Sequence, residues 1–255
     1  MADSQWQIAI FILIVMAACA PNPTPLPIPI ITPRQTKTVA PTLISNPSPT
    51  ISPAPKATVV PTIAQSLRAL AFNRGIQIGA AINVDALKKD AQYAATLARE
   101  YSALTPENVM KMGPLRPTQT TYKFDDADYL VNFAQTNGMQ VRGHTLVWHN
   151  QIPKWLSDGN FSREQLIAIL REHITTVVAR YRGKIAAWDV VNEAIDDKTG
   201  NLRETIWSKG IGAEYIEMAF RFARDADPNV KLIYNDYSGE ATNKKSDAIY
   251  NLVKG

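Results

Sequence analysis

From Gly75 onward, short strand-like runs alternate with longer stretches of helical periodicity, and this alternation limits the fold more than any other feature of the 255-residue chain. Residues 77–81, 103–105, 140–144, 185–191 and 231–234 are brief and read as strands. Between them, the spacing of Leu87, Ala91, Ala94, Leu97 and Ala98 predicts one helix over residues 85–101. Residues 127–136 make a second helix, stopped by Asn137-Gly138. The clearest helix starts at Ser162, which has Gln165 three residues on and so the pattern of a capping box. Leu166, Ile169, Leu170, Ile174, Val177, Val178 and Tyr181 then follow at i, i+3, i+4 spacing, with His173 on the same apolar face as a satisfied core histidine. Residues 213–226 and 246–254 supply two more helices. Regular alternation of this kind predicts α/β architecture with parallel βα units, either an open doubly wound sheet or a (β/α)8 TIM barrel. No glycine-rich phosphate loop follows the first strand, which disfavours a dinucleotide-binding sheet. Glu107, His144, Glu193 and Asp236 each fall just past a predicted strand, on the rim where barrels carry their chemistry. The barrel is therefore the expected fold.

The first 62 residues obey different rules. Residues 8–18 are almost wholly apolar, too short to span a bilayer, and lead through Met16-Ala17-Ala18 to Cys19, the only cysteine. This pattern is similar to a bacterial lipoprotein signal peptide over residues 1–19, in which Cys19 would be acylated, although residues 1–7 carry Asp3 and no Lys or Arg. Twelve of the 17 prolines lie within residues 20–62, amid Thr, Ser, Ile and Val. Proline at that density removes backbone donors and favours extended polyproline geometry, so the segment reads as a Pro/Thr/Ser-rich linker. The expected placement is export, as a cell-surface or periplasmic lipoprotein or a secreted protein, with membrane contact only through the lipid. Three of the 27 basic residues and one of the 23 acidic residues precede residue 63, so the +4 formal charge leaves residues 63–255 nearly balanced. No basic stripe suggests nucleic-acid binding, and no cysteine remains in that region for a disulfide.

The most telling segment is Ala187-Trp188-Asp189-Val190-Val191-Asn192-Glu193-Ala194, a buried strand that ends on an Asn-Glu pair. Desolvation opposes a charged carboxylate at such a strand mouth, and the same burial keeps a carboxylic acid protonated for general-acid work. Alone, the pair would read as a helix cap or a surface Glu; other segments point the same way. Glu107, Asn108 and Lys111 lie within one turn of each other after the second strand and could accept from and donate to adjacent sugar hydroxyls. Residues 142–155 bring His144, Trp148 and Gln151 to a strand mouth, where an indole face stacks on a pyranose ring and His and Gln can fix hydroxyls. Two His five residues apart, His144 and His149, more often mean hydrogen-bonded groups than a metal site.

Together these segments resemble the family 10 glycoside hydrolases, the endo-β-1,4-xylanases. The similarity runs from about Leu67 to the end of the chain through four motifs in family order: residues 105–111, 142–155, 188–194, and Tyr234-Asn235-Asp236-Tyr237. The resemblance implies that Glu193 is the acid/base and that Asn192 hydrogen-bonds the 2-hydroxyl of the reacting sugar. It implies that Glu107, Asn108 and Lys111 bind the neighbouring non-reducing-side xylose, that His144, Trp148 and Gln151 surround the reacting sugar, and that Tyr237 faces the leaving-group side. It implies xylan or xylo-oligosaccharides as partners, with no metal and no organic cofactor. The family's nucleophile, a Glu on strand seven in an Ile-Thr-Glu-Leu-Asp-like context, has no match, and Asp236 and Glu240 are the nearest substitutes without a motif behind them. Residues 63–255 are thus expected to be the first five βα units of the barrel, the N-terminal portion of a retaining xylanase. On this expectation they associate through open sheet edges and hydrolyse no xylan unaided. The alternative is a tethered carbohydrate-binding pseudoenzyme.

Overall fold

A computed structural model describes residues 65–254; the signal peptide, Cys19 and the linker over residues 20–62 lie outside the described residues. Five strands, β1 (Gly79–Ile82), β2 (Ala103–Pro106), β3 (Gln140–Val147), β4 (Ala187–Asn192) and β5 (Lys231–Asn235), form one sheet in the order β1-β2-β3-β4-β5. Every neighbouring pair is parallel. Parallel pairing forces a crossover between successive strands, and the crossovers here are helical. They are carried by α2 (Val84–Lys89) and α3 (Ala91–Glu100), α4 (Met112–Leu115) and α5 (Asp125–Thr136), α6 (Lys154–Ser157) and α7 (Arg163–Arg180), and α8 (Ile206–Gly210) and α9 (Tyr215–Ala226). A short α1 (Leu67–Phe72) precedes the sheet and α10 (Lys244–Lys254) follows it. This is the parallel β/α succession of a barrel, present as five strands among the described residues.

The expected single helix over residues 85–101 is two helices. Asp90 takes an extended conformation between them, and its side chain accepts from the Gln92 and Tyr93 N–H groups to cap α3. A side chain that can satisfy the first-turn donors offers the backbone an alternative to continuing the previous helix. The five predicted strands and the remaining helices are present with ends shifted by a few residues, as β1 illustrates by starting at Gly79. The Ser162–Gln165 capping box is formed in both directions. Short helices α1, α4, α6 and α8 were not legible in the sequence. His144 lies inside β3, not past it, because that strand runs on to Val147.

The core lies between the sheet and α5, α7 and α9. Leu166, Ile169, Leu170, Ile174, Val177 and Val178 form the buried stripe of α7. Trp188, pointing from β4, is fully buried, and a Cβ on Gly143 of β3 would stand 2.2 Å from its Cε3 atom. Only glycine lets β3 pass there. His173 corrects its expectation: it is buried, as the helix face required, yet neither ring nitrogen has a hydrogen-bond partner.

Candidate active site

The C-terminal ends of the strands gather the polar residues. Asp189, buried on β4, accepts from Arg142 Nη2 on β3 at 2.7 Å and from its Nε at 2.9 Å. It also pairs with His144 Nδ1 at 2.9 Å. A carboxylate offers only lone pairs, so Nδ1 is the donor in this contact. Arg142 Nη2 reaches further, donating to Asn235 Oδ1 at 2.8 Å, while Asn235 Nδ2 donates to Asn192 Oδ1 at 2.6 Å. Arginine has no acceptor, so the direction of this relay is fixed at its origin. Its far end is the Asn192 amide nitrogen, left free to donate.

Glu193 follows β4 with a left-handed backbone, φ 55°. Such a conformation in a non-glycine residue persists only where its surroundings hold it. Here its N–H donates to the Asn235 carbonyl at 2.8 Å, and its own carbonyl accepts from Arg203 Nε at 3.1 Å. The side chain accepts from Trp148 Nε1 through Oε2 at 2.9 Å. The carboxylate is half-buried, less enclosed than a buried strand mouth implied, because the rim opens at this point.

On the other side of Trp148 stands Lys111, buried, with Nζ 4.7 Å from the indole centre and donating to Asn108 Oδ1 at 3.1 Å. Burial lowers its pKa, opposed by the negative charges of Glu193 and Glu107. Gln151 Nε2 donates to the same Asn108 oxygen at 3.2 Å, so Asn108 keeps its amide N–H groups for a ligand. Gln151 itself has φ 49°, and its carbonyl accepts from Gly113 N–H at 2.8 Å. A Cβ at Gly113 would sit 2.5 Å from that carbonyl oxygen, so glycine is needed to seat Gln151. Glu107 accepts from Asn83 Nδ2 at 3.1 Å, while the Asn83 oxygen caps α2.

Seven of the expected residues, Glu107, Asn108, Lys111, Trp148, Gln151, Asn192 and Glu193, line one stretch of rim, and His144, held by Asp189, brings its ring to 6.5 Å from that of Trp148. Tyr237 is set apart: it is 43% exposed after β5, and its hydroxyl donates to Asp197 in the loop after β4. Sequence reasoning missed Asn83, Arg142, Asp189, Asn235 and Arg203. All act through other residues; Arg142, Asp189 and Asn235 stood inside the four motifs, whereas Asn83 and Arg203 carried no signal. His149 is half-buried with an unpartnered Nδ1, its ring edge-on to Trp148 at 5.6 Å, and burial lowers its pKa. Asp236 is no free carboxylate, because its oxygens accept from Lys245 Nζ at 2.8 Å and Tyr234 Oη at 2.5 Å. Glu240 is exposed beyond it. Among the described residues no group of three or more His, Cys, Asp or Glu is placed to hold a metal ion, and no helix is long and apolar enough to cross a membrane.

Known proteins are similar to this chain in sequence and in fold. The chain is 47% identical over 190 residues to endo-1,4-beta-xylanase B of Thermotoga neapolitana, covering 74% of this chain and 55% of that protein. It is 44% identical over 189 residues to endo-1,4-beta-xylanase B of Paenibacillus barcinonensis, covering 72% of this chain and 56% of that one. The structure superposes on xylanase 10B of Thermotoga petrophila RKU-1, solved in complex with xylobiose, with a TM-score of 0.72 and 45% identity, covering 76% of this chain and 59% of that chain. The chain thus spans a little over half the length of the relatives it matches. The model of glycosyl hydrolase family 10 matches residues 66–255. With three quarters of its length inside that match, the chain belongs to glycosyl hydrolase family 10.

Proposed function

We propose that the protein hydrolyses internal β-1,4-xylosidic bonds of xylan by a retaining double displacement, with Glu193 as acid/base. The observation that carries this reading is the rim geometry around Glu193: a carboxylate held in strained backbone beside an Asn192 amide that the Arg142–Asn235 relay leaves as a donor. Glu193 would protonate the glycosidic oxygen as the bond breaks, then take a proton from the water that releases the glycosyl-enzyme. Trp148 Nε1 holds that carboxylate in place. The Asn192 amide would donate to the 2-hydroxyl of the reacting sugar, an interaction that strengthens toward the oxocarbenium-like transition state. Asn108 and Lys111 present donors, and Glu107 acceptors, to the next sugar on the non-reducing side; Tyr237 offers an exposed ring on the leaving-group side.

A retaining reaction needs a second carboxyl about 5–5.5 Å from the first. Asp236 does not fit that role, since its side chain is buried and both oxygens are engaged, and Glu240 is exposed beyond it, so neither is assigned as nucleophile. The test is Glu193→Gln in this chain joined to strands six to eight of a family 10 xylanase, which carry the nucleophile. The variant should lose about 100-fold or more on xylo-oligosaccharides, whose leaving group must be protonated, and much less on the glycosylation step of activated aryl xylosides. Equal losses on both would assign Glu193 another task. Tight binding of xylo-oligosaccharides without turnover by the unsubstituted protein would support a carbohydrate-binding module.

The composition of residues 1–62 supports export, with acylation at Cys19 and residues 20–62 as a tether. In the native host, Cys19→Ser should leave the membrane fraction or fail to mature. Membrane association unaltered by that change would refute the acylation.

A further inference from the structure

Lys245 on α10 is a buried cation that the proposed chemistry does not use. Its side chain is 3% exposed, and Nζ stands 2.6 Å from Asp197 Oδ1 and 2.8 Å from Asp236 Oδ1. These two carboxylates come from different rim loops, Asp197 after β4 and Asp236 after β5. Asp236, with its side chain 2% exposed, also receives the Tyr237 N–H at 2.9 Å, the Tyr234 hydroxyl at 2.5 Å and the Ile195 N–H at 3.4 Å. The Tyr234 hydroxyl in turn accepts from Ala194 N–H at 3.1 Å. Both peptide N–H groups that follow Glu193 are therefore tied to the end of β5 through Asp236. On the Asp197 side, Arg203 contacts that carboxylate at 3.2 Å while also donating to the Ile195 carbonyl at 3.0 Å and the Glu193 carbonyl at 3.1 Å.

We infer that Lys245 is a positioning residue that clamps the Glu193 loop to the β5 rim and sets the Tyr237 ring on the leaving-group side. Glu193 sits in a left-handed conformation that its own residue type does not favour, so something outside the residue must hold the following peptides. The clamp does that with charge-assisted bonds, which are short and strong where one partner is buried. Without Lys245, Asp236 becomes a buried carboxylate with no counter-charge, and the two acidic loops have nothing to draw them together. The same ammonium lies 3.4 Å from the centre of the Tyr237 ring. One face of the ring is thereby occupied by a cation, its hydroxyl is engaged by Asp197, and the opposite face is left for a sugar. Asp197 feels the contact strongly: Lys245, followed by Tyr237, holds its carboxyl down at about 2.

This assignment rests on Glu193 being the acid/base, and amide hydrogen exchange separates the two. In the Lys245→Met protein, the Ala194 and Ile195 amides should exchange about tenfold faster or more, while amides of the β2–β3 ladder keep their rates. Asp197→Asn, at a half-exposed position, loosens the same clamp without orphaning a buried charge, so it reports on the idea even if Lys245→Met unfolds. It should move the same two amides in the same direction, by less. In turnover, Lys245→Met should lower kcat on xylo-oligosaccharides more than on aryl xylosides with good leaving groups, which need neither the proton nor the Tyr237 face. Unchanged Ala194 and Ile195 exchange, or one uniform acceleration across the sheet, would overturn the clamp. Absence of xylan turnover in the unsubstituted chain joined to strands six to eight of a family 10 xylanase would remove the proposed function, while the exchange result would still decide the clamp.

Discussion

His173 makes the stability of this protein depend on pH over a range where carboxylates scarcely contribute. The ring is 1% exposed on α7, stacked on Tyr122 with centroids 6.2 Å apart, and neither nitrogen finds a partner. Burial lowers its pKa from 6.5 to about 3, and the Arg116 guanidinium works in the same direction. The Leu146 carbonyl favours the charged ring only weakly and closes no normal hydrogen bond. Glu172, on the same helix, is spent on Arg116 at 2.6 Å. The unfolded chain therefore binds a proton that the folded chain refuses. The associated stability is complete above pH 6.5 and is lost as pH falls toward 3. At about 1.4 kcal/mol per pH unit, lowering the pH from 7 to 4.5 should cost about 2.5 kcal/mol from this residue alone. Asp197, Asp128 and Asp196, whose pKa values are lowered, lose their contribution below the ordinary Asp value of 3.8, and Glu100, Glu164 and Glu214 begin to lose theirs only near the ordinary Glu value of 4.5, at the acid end of this window. His149, also lowered by burial, adds a smaller slope of the same sign. The assay is urea unfolding of the protein and its His173→Phe variant at pH 7, 5.5 and 4.5. Phe keeps the stack on Tyr122 and cannot titrate, so the variant should show a much flatter profile and overtake the parent at the acid end. Parallel profiles for the two proteins would refute the reasoning.

Two further outcomes follow from close contacts. Asn235→Asp keeps an acceptor for Arg142 but has no N–H for Asn192 Oδ1, so the Asn192 amide loses its fixed direction. kcat/KM on xylosides should drop about tenfold, the worth of one hydrogen bond to a developing charge, and a 2-deoxy substrate should show no difference between the two proteins; an equal drop on both would refute the relay. Gly143→Ala puts a methyl group 2.2 Å from buried Trp188, so thermal unfolding should report a destabilisation of about 1–3 kcal/mol or more. An unshifted melting temperature would mean that β3 and β4 can move apart at no cost.

Much of this protein was legible before folding. The strand–helix alternation predicted the parallel sheet because each signal is local: a capping pair such as Ser162 and Gln165, a stripe such as Leu166 to Val178, an Asn-Gly stop. The residues at the rim were legible for a different reason. Chemistry on the protein surface needs particular side chains, and Glu107, Asn108, Lys111, Trp148, Gln151, Asn192 and Glu193 sit in compact motifs at strand ends. Asp90 escaped because a helix break by side-chain capping competes with a hydrophobic period that continues across it. His173 escaped because burial can be read from a helix face, but the partners of a buried ring come from other elements.

What tertiary structure alone decided is the support behind those residues. Arg142, Asp189, Asn235 and Asn192 come from three strands, and only the lateral register that sets Asp189 beside His144 and Asn235 beside Asn192 makes them one relay. Lys245 and Asp197 lie far apart in sequence and meet through a buried ammonium. Local pattern along the chain dictates which side chains stand at the strand ends, because hydrophobic period and motif spacing are carried by near neighbours. Which way the Asn192 amide points, what holds Glu193 in a left-handed turn, and where Tyr237 is anchored depend on hydrogen bonds and charges between distant segments, and these exist only after the strands have paired.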